Sequence, residues 1–298
     1  INQIVYNNTS QNPNTTNRSI TVVVNDGTNN SNTATTTISI NPVNDISVVT
    51  LDNTSSFTEG NTNLSVINNL TITDSDNTTL NAASVTLTNN LDGITNEKIS
   101  LTTTQINDAF NDFGITIDIS TDNVISLSGS SLIANYQTVM SQIVYNNTSD
   151  NPNTTNRTLD IVVNDGTANS TTVSSTISMG AINDAPIIDL DNTTAGNNFA
   201  TSFTEDNPAI AISNAATITD VDNTNMTSAT ITLTNNLDGI TDENIALTAA
   251  QITAADGLGI TVNVATNNVI SLSGSSSIAN YQTVINQIVY NNTSQNPN

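Results

Sequence analysis

One stretch returns three times in this chain of 298 residues, and its spacing restricts the folds open to it. Gln3-Ile4-Val5-Tyr6-Asn7-Asn8-Thr9-Ser10 recurs from Gln142 to Ser149 and again from Gln287 to Ser294. The intervals, 139 and 145 residues, are far longer than a helical-repeat or propeller-blade period, so each period is expected to be a domain in its own right. Each copy begins β-prone and runs into Asn, Thr and Pro, which reads as a strand entering a turn. Ile1 to Asn14 also recur unchanged as Ile285 to Asn298. We therefore expect this sequence to be a window on a longer array, with targeting and anchoring segments elsewhere.

Between the copies, short apolar/polar alternations dominate. Ser19 to Val24, Thr37 to Ile40, Ser47 to Leu51, Leu70 to Thr73, Ser84 to Leu87, Ile115 to Ile119 and Val124 to Leu127 all have period two and β-branched content. Many such strands, with turns every ten residues or so, predict antiparallel β-sandwiches. Two stretches keep helical spacing instead. Ser131 to Met140, with its copy Ser277 to Ile285, predicts a short serine-capped helix before the returning strand; Thr103 to Phe113, with a weaker copy at Ala249 to Leu258, predicts a second.

Polar, proline-bearing segments at Asn41-Pro42-Val43-Asn44-Asp45 and Ala181-Ile182-Asn183-Asp184-Ala185-Pro186 mark the domain boundaries. The expected domains are residues 1–43, the closing strands of a truncated repeat; 44–182, a complete repeat; and 183–298, a repeat lacking its last strands. The third also carries extra residues around Thr194 to Ala200, read as a surface loop.

Composition removes whole classes of function. The chain has no Cys, His or Trp, and only Arg18, Lys98 and Arg157 stand against 26 acidic residues, for a formal charge of −23. Without imidazole or thiol, the usual general base, activated nucleophile and transition-metal ligands are missing, which argues against an enzyme. The charge argues against nucleic-acid partners and anionic membranes, and no apolar run is long enough for membrane insertion.

The remaining chemistry lies in carboxylates. A single Asp is usually a solvated turn residue, but acid motifs recur at corresponding places in successive repeats. Asp74-Ser75-Asp76 matches Asp220-Val221-Asp222, Phe57-Thr58-Glu59 matches Phe203-Thr204-Glu205, Asn25-Asp26-Gly27 matches Asn164-Asp165-Gly166, and Asn44-Asp45 matches Asn183-Asp184. Carboxylate and amide oxygens are the ligands that Ca²⁺ takes.

The order of Asn-Asp linker, Phe-x-Glu, Asp-x-Asp, then Asp-Gly with its Asp 19 residues before the next linker's Asp (Asp165 to Asp184) resembles the cadherin repeat. The whole chain is similar to the tandem cadherin-like repeats of large bacterial surface proteins and adhesins, with segments such as Tyr-Asn-Asn-Thr-Ser, Val-Asn-Asp-Gly-Thr and Asn-Asp-Ala-Pro. The resemblance implies tandem Ig-like, cadherin-like antiparallel β-sandwiches arranged end to end, with Ca²⁺ at the joints. One joint would use Asn44 and Asp45 with Asp74, Asp76 and Asp165. The next would use Asn183 and Asp184 with Glu59, Asp220 and Asp222, while Asp26 and Glu205 would serve further joints. The family's Asp-Arg-Glu motif has no acidic counterpart around Leu132-Ile133-Ala134-Asn135-Tyr136.

Three functions fit this reading. The first is an extracellular, cell-surface stalk or fibre, structural or adhesive, whose partners are further copies of the repeat and a cell-surface or matrix ligand bound through other regions. The second is a self-assembling extracellular filament subunit completed by strand exchange between neighbours. The third, a carbohydrate-binding module, lacks a stacking platform because there is no Trp.

Overall fold

The computed structural model describes residues 3–52 and 54–297. They form a mostly β structure in two compact units, Ile1–Ile182 and Asn183–Asn298. Unit 1 opens with a hairpin of β1 (Arg18–Val22) and β2 (Ala34–Ile38). There follow β3 (Val48–Thr50), β4 (Thr54–Thr58), β5 (Leu64–Ser65), β6 (Thr71–Thr73), β7 (Thr79–Leu87), β8 (Glu97–Ser100), α1 (Thr103–Phe113) and β9 (Thr116–Asp118). The unit ends with β10 (Val124–Leu132), α2 (Ile133–Met140), β11 (Val144–Asn147), β12 (Arg157–Asn164) and β13 (Val173–Gly180).

One six-stranded sheet, in the order β4-β13-β12-β7-β10-β9, carries most of unit 1. A three-stranded sheet, β5-β11-β8, and the pair β3-β6 supply further core residues. Alternation along β12, and along β7 from Ala83 on, turns Val85, Leu159, Ile161 and Val163 into the core, which Leu80 joins; each such burial stabilises by about 1.5–3 kcal/mol. The parallel pairing of β4 with β13, Thr54 to Thr58 against Thr176 to Gly180, closes the large sheet.

Both helix expectations hold, with one difference in capping. At α1, Thr102 accepts from the Gln105 N–H and Gln105 Oε1 accepts from the Thr102 N–H, a capping box that satisfies two orphan donors. Before α2 the serine is not the cap: Leu132 occupies that position without a side-chain bond, and the Ser131 hydroxyl donates to Phe113 O instead. At the corresponding helix of unit 2, Ser277 does cap, accepting from the Asn280 N–H.

A bulge explains how α1 and β10 approach each other. The ladder between β7 and β10 shifts register between Ser128 and Ser131, around Gly129 at φ +126°, where a Cβ would lie 2.3 Å from Gly114 O. Only glycine fits there.

Unit 2 contains β14 (Ile187–Asp189), β15 (Ile210–Ala211), β16 (Thr217–Thr219), β17 (Asn225–Thr232) and β18 (Glu243–Ala246), then α3 (Ala249–Gly257), β19 (Thr261–Asn263), β20 (Val269–Ser277), α4 (Ile278–Ile285) and β21 (Val289–Asn292). Its sheets are β14-β16, β15-β21-β18 and β17-β20-β19. Residues 194–200, the expected surface loop, hold no regular strand, and Asp191 anchors the segment by accepting from Thr193, Thr194 and Asn214.

Two expected strands differ, and the counterpart of β4 in unit 2 departs from its copy. The first copy of the returning stretch forms none: residues 4–10 hold no regular structure and are exposed, with Val5 85% exposed, because the partners that hold β11, namely β5 and β8, have no counterpart beside it among the described residues. Val23 and Val24 lie beyond the end of β1. Phe203 to Glu205 are also outside any strand, since unit 2 has no equivalent of β13 for them to pair with.

Candidate functional site

The candidate site of unit 1 forms where the Asn44-Asp45 segment, leading into β3, meets the loop after β6 and the turn after β12. The Asn44 side-chain amide donates to Asp165 Oδ2 at 2.8 Å, and Asn44 Oδ1 accepts from the Asn77 side chain at 3.3 Å. The Asp45 N–H donates to Asp76 Oδ2 at 3.3 Å, and the Ser47 hydroxyl donates to Asp74 Oδ2 at 2.7 Å. The structure thus brings together Asn44, Asp45, Asp74, Asp76 and Asp165.

Each carboxylate is placed by its own local turn. Asp74 Oδ1 accepts from the N–H groups of Asp76 and Asn77 at 3.1 and 2.8 Å. Asp165 Oδ1 accepts from those of Thr167 and Ala168 at 2.7 and 2.8 Å, the bonding expected of an Asp that opens a tight turn.

These contacts divide the acids electrostatically. Burial pushes Asp74 up, but bonds from Ser47 and the backbone of Asn77 and Asp76 outweigh it and hold its carboxyl below the ordinary value. Asp165 behaves alike, its burial outweighed by Asn44 and the amides of Ala168 and Thr167. Asp76 goes the other way, raised first by its contact with the Asp74 carboxyl. Two acids that share a contact need a proton or a cation between them.

In unit 2, Asp184 N–H donates to Asp222 Oδ2 at 2.6 Å, Asn223 donates to Asn183 Oδ1 at 2.7 Å, and Asp220 Oδ1 accepts from the Asp222 and Asn223 N–H groups at 3.0 and 2.7 Å. Asn183, Asp184, Asp220 and Asp222 are therefore together, without an equivalent of Asp165. Glu59 is buried at the end of unit 1, where its Oε2 accepts from the Ile182 N–H at 2.8 Å. Glu205, its counterpart, is exposed. Asp26 caps the β1–β2 loop, and the amides of Asn29 and Thr28 hold its carboxyl below the ordinary value.

Two participants were not among the sequence candidates. Asn77 recurs as Asn223, so the motif Asp-x-Asp-Asn carried a readable signal. Ser47 had none, because its counterpart is Pro186.

The donor set of carboxylate, amide and hydroxyl oxygens has the chemistry of a hard-cation site. It is not a finished shell: among the described residues, no three or more acidic side chains are arranged to hold a metal ion. The oxygens of Asp74 and Asp165 already accept bonds, and binding would have to use their remaining lone pairs.

No family model matches the chain, and no curated protein does. Among solved structures it is similar to human CDH23 EC21-23, with 11% identity over 88% of this chain and 64% of that one and a TM-score of 0.29. Mouse cadherin-23 EC22-24 gives 12% identity, the same two coverages and a TM-score of 0.29. Domains 4-9 of the surface layer protein SbsC give 14% identity over 87% of this chain and 31% of that one, with a TM-score of 0.24. The chain spans less than two thirds of each of these structures. Likeness of this degree does not extend to function.

Proposed function

We propose that the chain is part of an extracellular, cell-surface stalk or fibre, structural or adhesive, whose tandem cadherin-like β-sandwiches are stiffened by Ca²⁺ at their joints. The observation that carries this reading is the meeting of Asn44 and Asp45 with Asp74, Asp76 and Asp165, at a segment the sequence reads as a joint. Asn44, Asp45, Asp74, Asp76 and Asp165 would hold one ion; Asn183, Asp184, Asp220, Asp222 and Glu59 would serve the next joint, with Asp26 and Glu205 at others. The ion supplies positive charge that offsets the repulsion of the carboxylates. Around it, the turns at Asp74 and Asp165 orient the acids, and the linker amide of Asn44 ties the boundary to the domain that follows. Further copies of the repeat are the partners that the periodicity supports.

Isothermal titration with CaCl₂ tests the reading. Saturable heat that is lost in Asp74→Asn and Asp165→Asn variants supports it, and identical traces for wild type and variants contradict it.

A further inference from the structure

The chain enters and leaves the large sheet of unit 1 through two neighbouring strands that run the same way. β4, at the edge of the sheet, lies parallel to β13 over five residue pairs, from Thr54 with Thr176 to Thr58 with Gly180. The Asn44-Asp45 segment leads through β3 to the Thr54 end of this pair, and β13 leaves for the Asn183-Asp184 segment from the Gly180 end. Entry and exit are therefore at opposite ends of one ladder.

That arrangement fixes what tension does. A pull between the two segments draws β4 and β13 in opposite directions along their own axes, so the evenly spaced bonds of the parallel ladder are loaded together. An antiparallel pair entered and left at one end would open bond by bond. β3 stands ahead of β4, but only three pairs with β6 hold it in a ladder, and it peels first. Load then crosses from β4 directly to β13. Residues 60–175 form a closed loop between the two strands and stay unstretched while the pair holds.

Side chains reinforce the ladder along its length. At the exit end, the Glu59 N–H donates to Gly180 O at 2.8 Å, and the buried Glu59 carboxylate accepts from the Ile182 N–H at 2.8 Å. One residue thus grips the main chain on both sides of Ala181. The Ser178 hydroxyl donates to Ser55 O at 3.2 Å, and that of Ser175 to Asp52 O at 3.4 Å. Phe57 seats β4 on the core, its buried ring 5.2 Å from that of Tyr145.

We propose that β4 and β13 form a tension-bearing clamp, sealed by Glu59, that keeps unit 1 folded when the chain is pulled through the segments on either side of it. This goes beyond the stiffening of joints by calcium and needs no cation. It is therefore tested in chelator, where failure of the calcium reading leaves it standing.

Single-molecule measurements at constant force, on the full-length chain held by its two ends, read the unfolding rate directly. Unit 1 is followed as the step that releases residues 44–182, up to about 3.6 Å for each residue. Glu59→Ala removes the bond to Ile182 and should make this step about tenfold faster at a given force. Ser55 presents its N–H to the same edge as Glu59, four residues on, whereas Ser56 turns its N–H to the open edge of β4. Ser55→Pro should accelerate the step tenfold or more, and Ser56→Pro by about twofold at most. Ile125→Val, in the core on β10 and three strands from β13, should lower the Tm yet leave the forced rate within about twofold, because its contacts lie outside the load path. An unchanged rate in Glu59→Ala, equal acceleration by Glu59→Ala and Ile125→Val, or equal effects of the two proline variants would overturn the proposal.

Discussion

Asn44 and Asp165 are 121 residues apart in sequence and 2.8 Å apart in space, the side-chain amide of the linker donating to the carboxylate of the β12–β13 turn. This bond ties the Asn44-Asp45 segment to the turn after β12, within one compact unit. Asn44→Ala removes a charge-assisted bond at a partly exposed position and should lower the stability of unit 1 by about 1 kcal/mol in urea denaturation.

The acids around it give stability a defined pH dependence. Asp74 and Asp165 have lowered folded-state values, so their contribution is present above the unfolded carboxyl range and is lost as pH falls through the lowered values. Asp76 is raised by Asp74, so its contribution has the opposite sign: it favours the fold at acid pH and weakens it as pH rises through the unfolded value to the raised one. Asp76→Asn should therefore raise the Tm at pH 7 in chelator, and a thermal melt checks it. The same variant should reduce the calcium-dependent gain in Tm.

Arg157 lies fully buried against Glu97 and Asp92. Removing it leaves two carboxylates facing each other in the core, so Arg157→Leu should cost about 3–5 kcal/mol. Chemical denaturation would show this as a loss of the unit 1 transition at low denaturant.

Gly129 holds β10 against Gly114 at a positive φ. Gly129→Ala adds a Cβ in a strained backbone region that also meets a carbonyl oxygen, and about 3 kcal/mol or more of destabilisation should follow. An alanine at the exposed Gly93, also at positive φ but with open space around it, should cost less in the same assay.

What was legible in the sequence had local causes. The span Thr103–Phe113 could be read because the capping box at Thr102 and Gln105 and the apolar spacing lie within one segment. The Asp-x-Asp and Asn-Asp motifs could be read because duplication set two copies side by side. The Arg157 network could not, since Asp92 and Glu97, at the entry to β8, lie 65 and 60 residues from Arg157 and Tyr145 joins through Glu97 from β11. Ser47, set against Asp74 by the β3–β6 pairing, was hidden for the same reason. The first copy of the returning stretch misled: its β propensity matches that of β11, but strand formation needs β5 and β8 alongside.

Small-angle scattering of the whole chain, titrated with calcium and then with chelator, tests the central claim most directly. On the proposed reading, clustered carboxylates at a short linker repel one another when no ion is bound, and a bound ion would offset that repulsion and stiffen the joint. A reversible rise in radius of gyration with calcium, abolished in Asp74→Asn, is the result the stalk reading expects. An unchanged radius of gyration at saturating calcium would contradict it and leave the acids as a solvated face.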